Sequence, residues 1–186
     1  MPFPKLGRFA AAAVFLASAA IFAHLRERGL APEVFIGHSV GEYTSLYCAG
    51  LLDFEDTLRL VIKRGDCMRA AAQEHPGRIM VVFQDADEVL RLIGASGIPE
   101  VWVANKNSAK QTAVSGREAA IEAFGQFLKQ HNVMFKVLAL SGAFHTPLFA
   151  SAAARMAAEL EALRFHPVDF GRVISNVTGS PYPSDE

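Results

Sequence analysis

The stretch EVFIGHSVGEYTSLYCAG, residues 33–50, joins an apolar run to a helical sequence through a serine that lies between two glycines. The apolar residues 34–36 predict a strand over residues 33–36, and residues 40–50 predict a helix. In a Gly-x-Ser-x-Gly turn the serine lies at a sharp strand-to-helix bend, which exposes its Oγ. The pattern is therefore typical of a nucleophilic serine.

Two interpretations of Ser39 are open from these residues. It is either a nucleophile, with the backbone N–H of Val40 aimed at a developing oxyanion, or the N-cap of an ordinary tight turn. Gly37 and Gly41 have no Cβ atom, and we expect a Cβ at either position to clash with the neighbouring strand and helix. The strand before the turn and the helix after it favour the nucleophile.

The composition limits the function classes. The 186 residues are 51% hydrophobic and 20% charged, with a formal net charge of −1. A packed domain, or one domain with an insertion, fits these values, whereas a disordered chain, a nucleic-acid binder or a basic membrane-surface protein does not. Cys48 and Cys67 are too few for a disulfide scaffold, so we expect a cytoplasmic location. No Cys/His cluster has zinc spacing, so we expect no bound metal. We also expect no membrane partner.

The N-terminal region has the outline of a secretory signal peptide. Lys5 and Arg8 precede fifteen apolar or small residues, 9–23. The alternative is a buried, alanine-rich helix that ends at Gly29, after cationic residues in its last turn. We interpret the segment as a core helix, because cleavage would remove it from beside the serine turn.

The order of predicted elements indicates an α/β protein with an insert. The segments RIMVVF, DADEVLRLIGA, EVWVAN, QTAVSG, REAAIEAFGQFLKQH and VMFKVLAL give the order β-α-β-β-α-β, which is typical of a ferredoxin-like unit. We assign residues 77–141 to this small subdomain, and residues 1–76 and 142–186 to a larger layer. The larger layer contains predicted helices at 9–28, 40–50, 54–74 and 147–163 and a late strand, RVISNV.

A serine nucleophile needs a general base. Most of the six histidines fall at predicted helix ends or in loops: His24, His75, His131 and His166. His38 adjoins Ser39, but adjacent residues in a strand point to opposite faces, so we interpret it as a packing residue or as one that supports the site without touching the substrate. His145, in LSGAFHTP, lies where the chain returns from the insert and is the candidate base; an ordinary loop histidine is the alternative.

Five motifs then occur in order: GHSVGEY, KRGDCM, NKNSAKQTAVSG, GAFHTP and ISNVTG. From about residue 9 to the C-terminus their order and spacing resemble the malonyl-CoA:acyl-carrier-protein transacylase family, which includes the acyltransferase domains of fatty-acid and polyketide synthases. The resemblance implies a Ser–His dyad on an α/β-hydrolase-like core, here partial, with an inserted ferredoxin-like subdomain.

The resemblance also implies roles for individual residues: Ser39 as nucleophile, His145 as base, Val40 N–H as oxyanion donor, and Arg64, Met68, Asn107 and Phe144 as substrate-binding residues. Arg64 matches the arginine that pairs with the free carboxylate of malonyl, and a guanidinium binds a carboxylate in a bidentate manner. Without the resemblance, Arg64 would be interpreted as a solvated charge on a helix, or as a salt-bridge partner of Asp66 or Glu42. The resemblance also favours malonyl over methylmalonyl as the substrate. Methylmalonyl-selecting relatives usually have a smaller residue at the position of Phe144, and they often have glutamine at the position of Val40.

The function implied is ping-pong transfer of malonyl from malonyl-CoA, through a malonyl-serine, to the phosphopantetheine thiol of an acyl carrier protein. No cofactor is bound by the protein itself. Other synthase domains or a complementing chain are further expected partners. Two alternatives are open: a serine hydrolase or thioesterase, and an inactive fragment that only binds a carrier protein.

Two departures from the family pattern lead us to expect a chain truncated at both ends. Nothing here matches the Gly-Gln-Gly segment whose glutamine N–H completes the oxyanion hole in the family. Relatives also continue through a segment whose backbone carbonyl orients the catalytic histidine, whereas this sequence ends at PYPSDE. We therefore expect the chain to be weak or inactive by itself.

Overall fold

Helices and strands alternate along the chain in the computed structural model, which describes residues 9–183. The helices are α1 (Ala10–Glu27), α2 (Gly41–Cys48), α3 (Phe54–Glu74), α4 (Ala86–Ser96), α5 (Glu118–Gln130) and α6 (Ala150–Glu161). The strands are β1 (Phe35–Ile36), β2 (Gly77–Val82), β3 (Val101–Ser108), β4 (Gln111–Arg117), β5 (Phe135–Ser141) and β6 (Val173–Ile174). Residues Lys5 and Arg8, and the last three residues of PYPSDE, lie outside the described residues.

The chain divides into two compact units. One contains residues 67–155, and the other contains the described residues up to 66 together with residues 156–183. The four strands β2 to β5 run from residue 77 to residue 141 and lie within the first unit. The subdomain boundaries given above, at 76/77 and 141/142, stay a prediction.

The unit of residues 67–155 is built on a four-stranded sheet in the order β3-β4-β2-β5, with every neighbouring pair antiparallel. Apolar side chains of α4 and α5 pack on its core-forming face, and the core includes Met80, Val114, Phe124 and Leu128. The α4 N-terminus is capped by Asp85, whose Oδ1 accepts a hydrogen bond from the Glu88 N–H at 2.8 Å. The predicted β-α-β-β-α-β order is confirmed, and the strand order is the ferredoxin-like one.

The other unit contains a short parallel pair. Strands β1 and β6 pair in parallel through Phe35–Val173 and Ile36–Ile174. Phe35 and Val173 belong to a buried cluster with Ala49 and Leu51. Helices thus occur together with a parallel and an antiparallel sheet, which confirms the predicted α/β class.

Both strands of this pair are shorter than predicted. The sequence predicts strands at 33–36 and 172–177, whereas each observed strand has two residues. After Ile36 the backbone enters the Gly-x-Ser-x-Gly turn, residues 37–41, which we call the elbow. The Gly37 carbonyl accepts a hydrogen bond from the side chain of Asn176 instead of from a strand. A side chain therefore replaces the sheet ladder where the chain has to bend.

The helix predicted at 147–163 also begins differently. Residues Pro147–Phe149 form a 3₁₀ turn, and α6 follows from Ala150. Pro147 lies in the first turn, where its missing N–H would have no partner within a helix.

Helix α1 is buried along one face only, so the buried helix expected from the sequence is exposed over the rest of its surface. Ala11, Ala12, Phe15 and Ala19 pack with Val61 of α3 in a buried cluster. Among the described residues, α1 is the one helix whose length and hydropathy would suffice to cross a membrane, and 17% of it is buried. A core helix and a signal sequence both pass that test, so it does not separate the two interpretations.

Candidate active site

The serine turn has a strained backbone. Ser39 lies between β1 and α2 with a φ of +54°, in the left-handed region that residues other than glycine seldom adopt. The turn closes with hydrogen bonds from the Gly41 N–H to the His38 carbonyl at 2.9 Å and from the Glu42 N–H to the Ser39 carbonyl at 3.1 Å. Ser39 is half-buried and His38 is exposed, so the packing role expected for His38 is wrong, whereas the alternative of a supporting role beside the site stays a prediction. The strained strand-to-helix turn matches the nucleophile elbow expected from the motif.

The two glycines of the motif have different roles. A Cβ built on Gly37 would lie 2.0 Å from the carbonyl oxygen of Gly41, so no side chain fits where the strand end approaches the helix start. A Cβ on Gly41 would meet no atom within 4 Å in the described part of the chain. The clash expected at Gly37 is confirmed, and the one expected at Gly41 is wrong, because the crowding lies on the strand side of the turn.

Arg64 contacts the serine directly. Its Nη2 donates a hydrogen bond to Ser39 Oγ at 2.9 Å from the middle of α3. Burial lowers the pKa of Arg64, partly offset by Tyr43, whose ring centroid lies 5.9 Å from the guanidinium carbon. An arginine nevertheless stays cationic at neutral pH. The structure thus brings together Ser39 and Arg64, which lie 25 residues apart in the sequence.

Asn176 spans the elbow and was missed by the sequence analysis. Its Oδ1 accepts a hydrogen bond from the Ser39 N–H at 3.0 Å, and its Nδ2 donates to the Gly37 carbonyl. The Asn176 N–H in turn donates to Glu42 Oε1 at 2.8 Å. The signal was present in the ISNVTG motif, but nothing in a single sequence shows that its asparagine returns to a turn 137 residues earlier.

Glu42 connects this asparagine to Tyr182. The Tyr182 hydroxyl donates to the same Glu42 Oε1 at 2.8 Å. Burial, followed by the hydrogen bond to the Glu42 carboxylate, raises the pKa of Tyr182 to about 12. The phenol therefore remains protonated and keeps donating to Glu42 throughout the neutral pH range.

His145 belongs to the unit of residues 67–155, in which its backbone is tightly held. Its φ is +59°, and its side chain is exposed. The residues on both sides are buried: Ala143, Phe144 and Thr146. The Thr146 Oγ1 donates to the Ala143 carbonyl at 2.6 Å, and this bond closes a tight turn around the histidine. The exposed ring is thus carried by a fixed backbone.

The remaining predicted site residues have varied surroundings. Phe144 is buried, with its ring centroid 5.2 Å from that of Phe149. Met68 is half-buried on α3, one turn after Arg64, and Asn107 is exposed near the end of β3, where its Nδ2 donates to Gln111 Oε1 at 3.2 Å. The Val40 N–H has no hydrogen-bond acceptor within residues 9–183. Their substrate-binding and oxyanion roles stay predictions.

The described residues contain no group of three or more His, Cys, Asp or Glu side chains that could hold a metal ion. Burial raises the pKa of the Cys48 thiol to about 11, so Cys48 is a poor nucleophile at neutral pH. The chemistry that this region can support is therefore that of a serine hydroxyl next to a guanidinium.

Comparison with known proteins identifies the class. Residues 8–181 match the acyl transferase domain family, to which the chain therefore belongs. The malonyl CoA-acyl carrier protein transacylase of Synechocystis sp. is 35% identical over 157 residues, which are 84% of this chain and 51% of that protein. The resemblance found in the motifs is confirmed.

Solved structures agree with this family. The acyltransferase domain of an iterative polyketide synthase in enediyne biosynthesis superposes with a TM-score of 0.88 at 30% identity, covering 100% of this chain and 48% of that one. A type II polyketide synthase malonyl-transacylase in complex with its acyl-carrier protein gives a TM-score of 0.87 at 32% identity, covering 95% and 58%. The fold class is confirmed, and the chain spans about half the length of these relatives.

Proposed function

We propose that this acyltransferase domain transfers a malonyl group from malonyl-CoA to the phosphopantetheine thiol of an acyl carrier protein, through an ester on Ser39. The observation that carries the proposal is the hydrogen bond between Arg64 and Ser39 Oγ. This bond brings together a hydroxyl that can accept the acyl group and a guanidinium that can bind the malonyl carboxylate. The names of the transacylase relatives, and the solved complex of one of them with a carrier protein, support the donor and the acceptor.

Arg64 is the proposed selector for malonyl. In a malonyl-serine a single methylene separates the free carboxylate from the ester carbonyl, so the carboxylate stays within reach of a guanidinium that already touches Oγ. On substrate binding the guanidinium exchanges its bond to Oγ for bonds to the carboxylate. Each such bond contributes about 1.5–3 kcal/mol, which supports roughly ten- to hundredfold selection over acetyl-CoA.

His145 is the proposed general base. It takes the proton of Ser39 Oγ as that oxygen attacks the thioester carbonyl, and it returns the proton to the departing CoA sulfur. The backbone N–H of Val40 stabilises the oxyanion of the tetrahedral intermediate. In the second half-reaction His145 deprotonates the phosphopantetheine thiol, which attacks the ester and releases Ser39. The resemblance of the GAFHTP segment to the family motif and the fixed turn around His145 support this role.

Three further assignments complete the proposal. Met68, Asn107 and Phe144 contact the substrate. Synthase domains, or a chain that completes the fold, are further partners. The location is cytoplasmic, which agrees with the free thiols of Cys48 and Cys67.

Acylation of the chain tests the proposal. Incubation with malonyl-CoA followed by intact-mass analysis should show one malonyl adduct, and peptide mapping should locate it on Ser39. Ser39→Ala should lose the adduct, whereas the matched control Ser151→Ala, which removes an exposed hydroxyl bonded to Glu74, should keep it. An adduct that persists in Ser39→Ala would overturn the assignment.

The nature of the turnover separates the proposal from a thioesterase. A thioesterase would convert the ester to free malonate at a rate that a carrier protein does not change. A transacylase would hold the ester in water and release it to the carrier thiol. The cationic Arg64 beside Ser39 favours the transacylase, because an unselective thioesterase has no use for a carboxylate-binding group at the nucleophile.

A further inference from the structure

The left-handed backbone of Ser39 needs a restraint. A residue with a Cβ is destabilised in this conformation, so the turn persists only where its surroundings hold it. Arg64 holds the Oγ, but a bond to a side-chain atom does not fix φ. The restraint has to act on the backbone groups on either side of the serine.

Asn176 supplies such a restraint. Its amide oxygen accepts from the Ser39 N–H, and its amide nitrogen donates to the Gly37 carbonyl, so one planar group bridges the strand end and the nucleophile. This bridge requires one acceptor and one donor side by side in a fixed plane, which the primary amide of asparagine offers. An aspartate would keep the acceptor but would place a negative charge against the Gly37 carbonyl.

Asn176 is itself held by the helix that follows the elbow. Its N–H donates to Glu42 Oε1 in the first turn of α2, and the Tyr182 hydroxyl donates to the same oxygen. Further backbone bonds stabilise the turn that carries Asn176, from the Ser175 N–H to the Ser180 carbonyl at 2.9 Å and from the Gly179 N–H to the Ser175 carbonyl at 2.9 Å. The loop is thus fastened to both sides of the strained residue.

We propose that Asn176 is a positioning residue of the acylation reaction, which holds Ser39 in its strained conformation. Because the Ser39 N–H is committed to Asn176, the next N–H, that of Val40, is left for a ligand oxygen. The inference rests on the proposed function of Ser39 as the acylated residue. Asn176 acts through Ser39 and touches no reacting atom itself.

The test compares three variants of the full chain. Asn176→Ala removes both bonds, and Asn176→Asp keeps the shape and the acceptor but loses the donor. Thr178→Ala is the matched control, because it removes the 3.2 Å bond from the Ser180 N–H to Thr178 Oγ1 in the same turn without touching the elbow. Three quantities are measured: amide hydrogen exchange at Ser39, the rate of Ser39 labelling by a fluorophosphonate, and the rate of malonylation with the malonyl-to-acetyl ratio.

In Asn176→Ala we expect exchange at the Ser39 amide to be about tenfold faster or more, and both labelling rates to be about tenfold slower or more. In Asn176→Asp both labelling rates of Ser39 should also be lower. If Asn176→Ala does not fold, the Asn176→Asp variant tests the positioning role. The malonyl-to-acetyl ratio should not change, because Arg64 is untouched. Thr178→Ala should match the original chain in all three quantities.

The inference would be overturned if both Asn176 variants matched Thr178→Ala in amide hydrogen exchange at Ser39 and in the labelling rates of Ser39. Failure of the proposed function gives a different result: the original chain would react with fluorophosphonate but take no malonyl. Exchange and fluorophosphonate labelling would still decide the role of Asn176 in that case. If the chain reacted with neither reagent, exchange at the Ser39 amide alone would decide it.

Discussion

Ser39 combines a strained backbone with bonds to two different parts of the chain. Its φ of +54° is restrained through its N–H by Asn176, and its Oγ accepts from Arg64. Each restraint fixes a different property of the nucleophile, namely the direction of its backbone and the position of its oxygen. Substitutions at the two partners should therefore have separable effects.

The first prediction concerns Arg64. Arg64→Ala should lower the acylation rate with malonyl-CoA by roughly ten- to hundredfold and the rate with acetyl-CoA by much less, because the lost interaction is with the free carboxylate. Arg64→Lys, the matched variant, keeps the charge but not the planar pair of donors, and it should be intermediate. Rates with both thioesters are measured by intact mass. Equal losses for the two donors would show that Arg64 only supports the turn.

At the level of elements, the elbow depends on how closely β1 approaches α2. A Cβ on Gly37 would lie 2.0 Å from the Gly41 carbonyl oxygen, whereas one on Gly41 has open space within the described residues. The two glycines of one motif thus differ in what a substitution should do.

Gly37→Ala should destabilise the fold by about 1–3 kcal/mol and abolish labelling of Ser39, because the strand and helix have to separate. Gly41→Ala is the control, and it should be neutral or stabilising by up to about 1 kcal/mol, since alanine is the better residue in the first turn of a helix. Denaturant unfolding and fluorophosphonate labelling measure both effects. Similar losses in the two variants would contradict the assigned crowding.

The strand β5 and the helix α5 carry the candidate surface for a carrier protein. Residues 101–141 contain five basic side chains against two acidic ones, namely Lys106, Lys110, Arg117, Lys129 and Lys136 against Glu118 and Glu122. Arg117 is not fully available, because its Nε donates to Glu100 at 2.8 Å. Lys129 and Lys136 are exposed and are the better test residues.

Charge reversal at Lys129 and Lys136 should raise the KM for an acidic carrier protein several-fold and leave acylation by malonyl-CoA unchanged. Arg59→Glu, an exposed reversal on α3 in the other unit, is the control and should change neither value. The measurement is steady-state transfer at varied carrier concentration. An unchanged KM in the double variant would mean that this face is merely solvated.

The sequence predicts the elements well and the contacts between them less completely. Periodicity and turn residues locate nearly every helix and strand, and the motif locates the strained serine, because these features depend on neighbouring residues. The bond from Arg64 to Ser39 and the bridge by Asn176 depend on distant residues brought together by folding. The role expected for Gly41 was wrong because a five-residue pattern does not show from which side the crowding comes.

At the scale of the whole molecule, the described chain leaves apolar surface uncovered. Phe9, which precedes α1, is 59% exposed, Ile21 of α1 is 62% exposed, and Ile36 of β1 is 76% exposed. The solved relatives are about twice as long as the part that this chain covers. Apolar residues at such levels of exposure favour association or aggregation.

We predict that the segments of the relatives that this chain does not cover increase its activity. A version extended with the remaining segments of a relative should transfer malonyl roughly a hundredfold faster or more, since one oxyanion-hole donor contributes on that order. It should also unfold at a higher temperature. Transfer rates and thermal unfolding of the two chains provide the comparison. Equal rates and an equally cooperative transition would show that the short chain is sufficient.

A chase experiment can follow the proposed passage of a malonyl group from Ser39 to a carrier thiol. The malonylated chain is freed of CoA and mixed with a carrier protein that bears phosphopantetheine, and mass analysis follows malonyl on Ser39, on the carrier and as free malonate. We expect the ester to persist in buffer and the malonyl group to move to the carrier protein once the carrier is added. Release as free malonate at a rate independent of the carrier, or the absence of any ester on Ser39, would contradict this expectation.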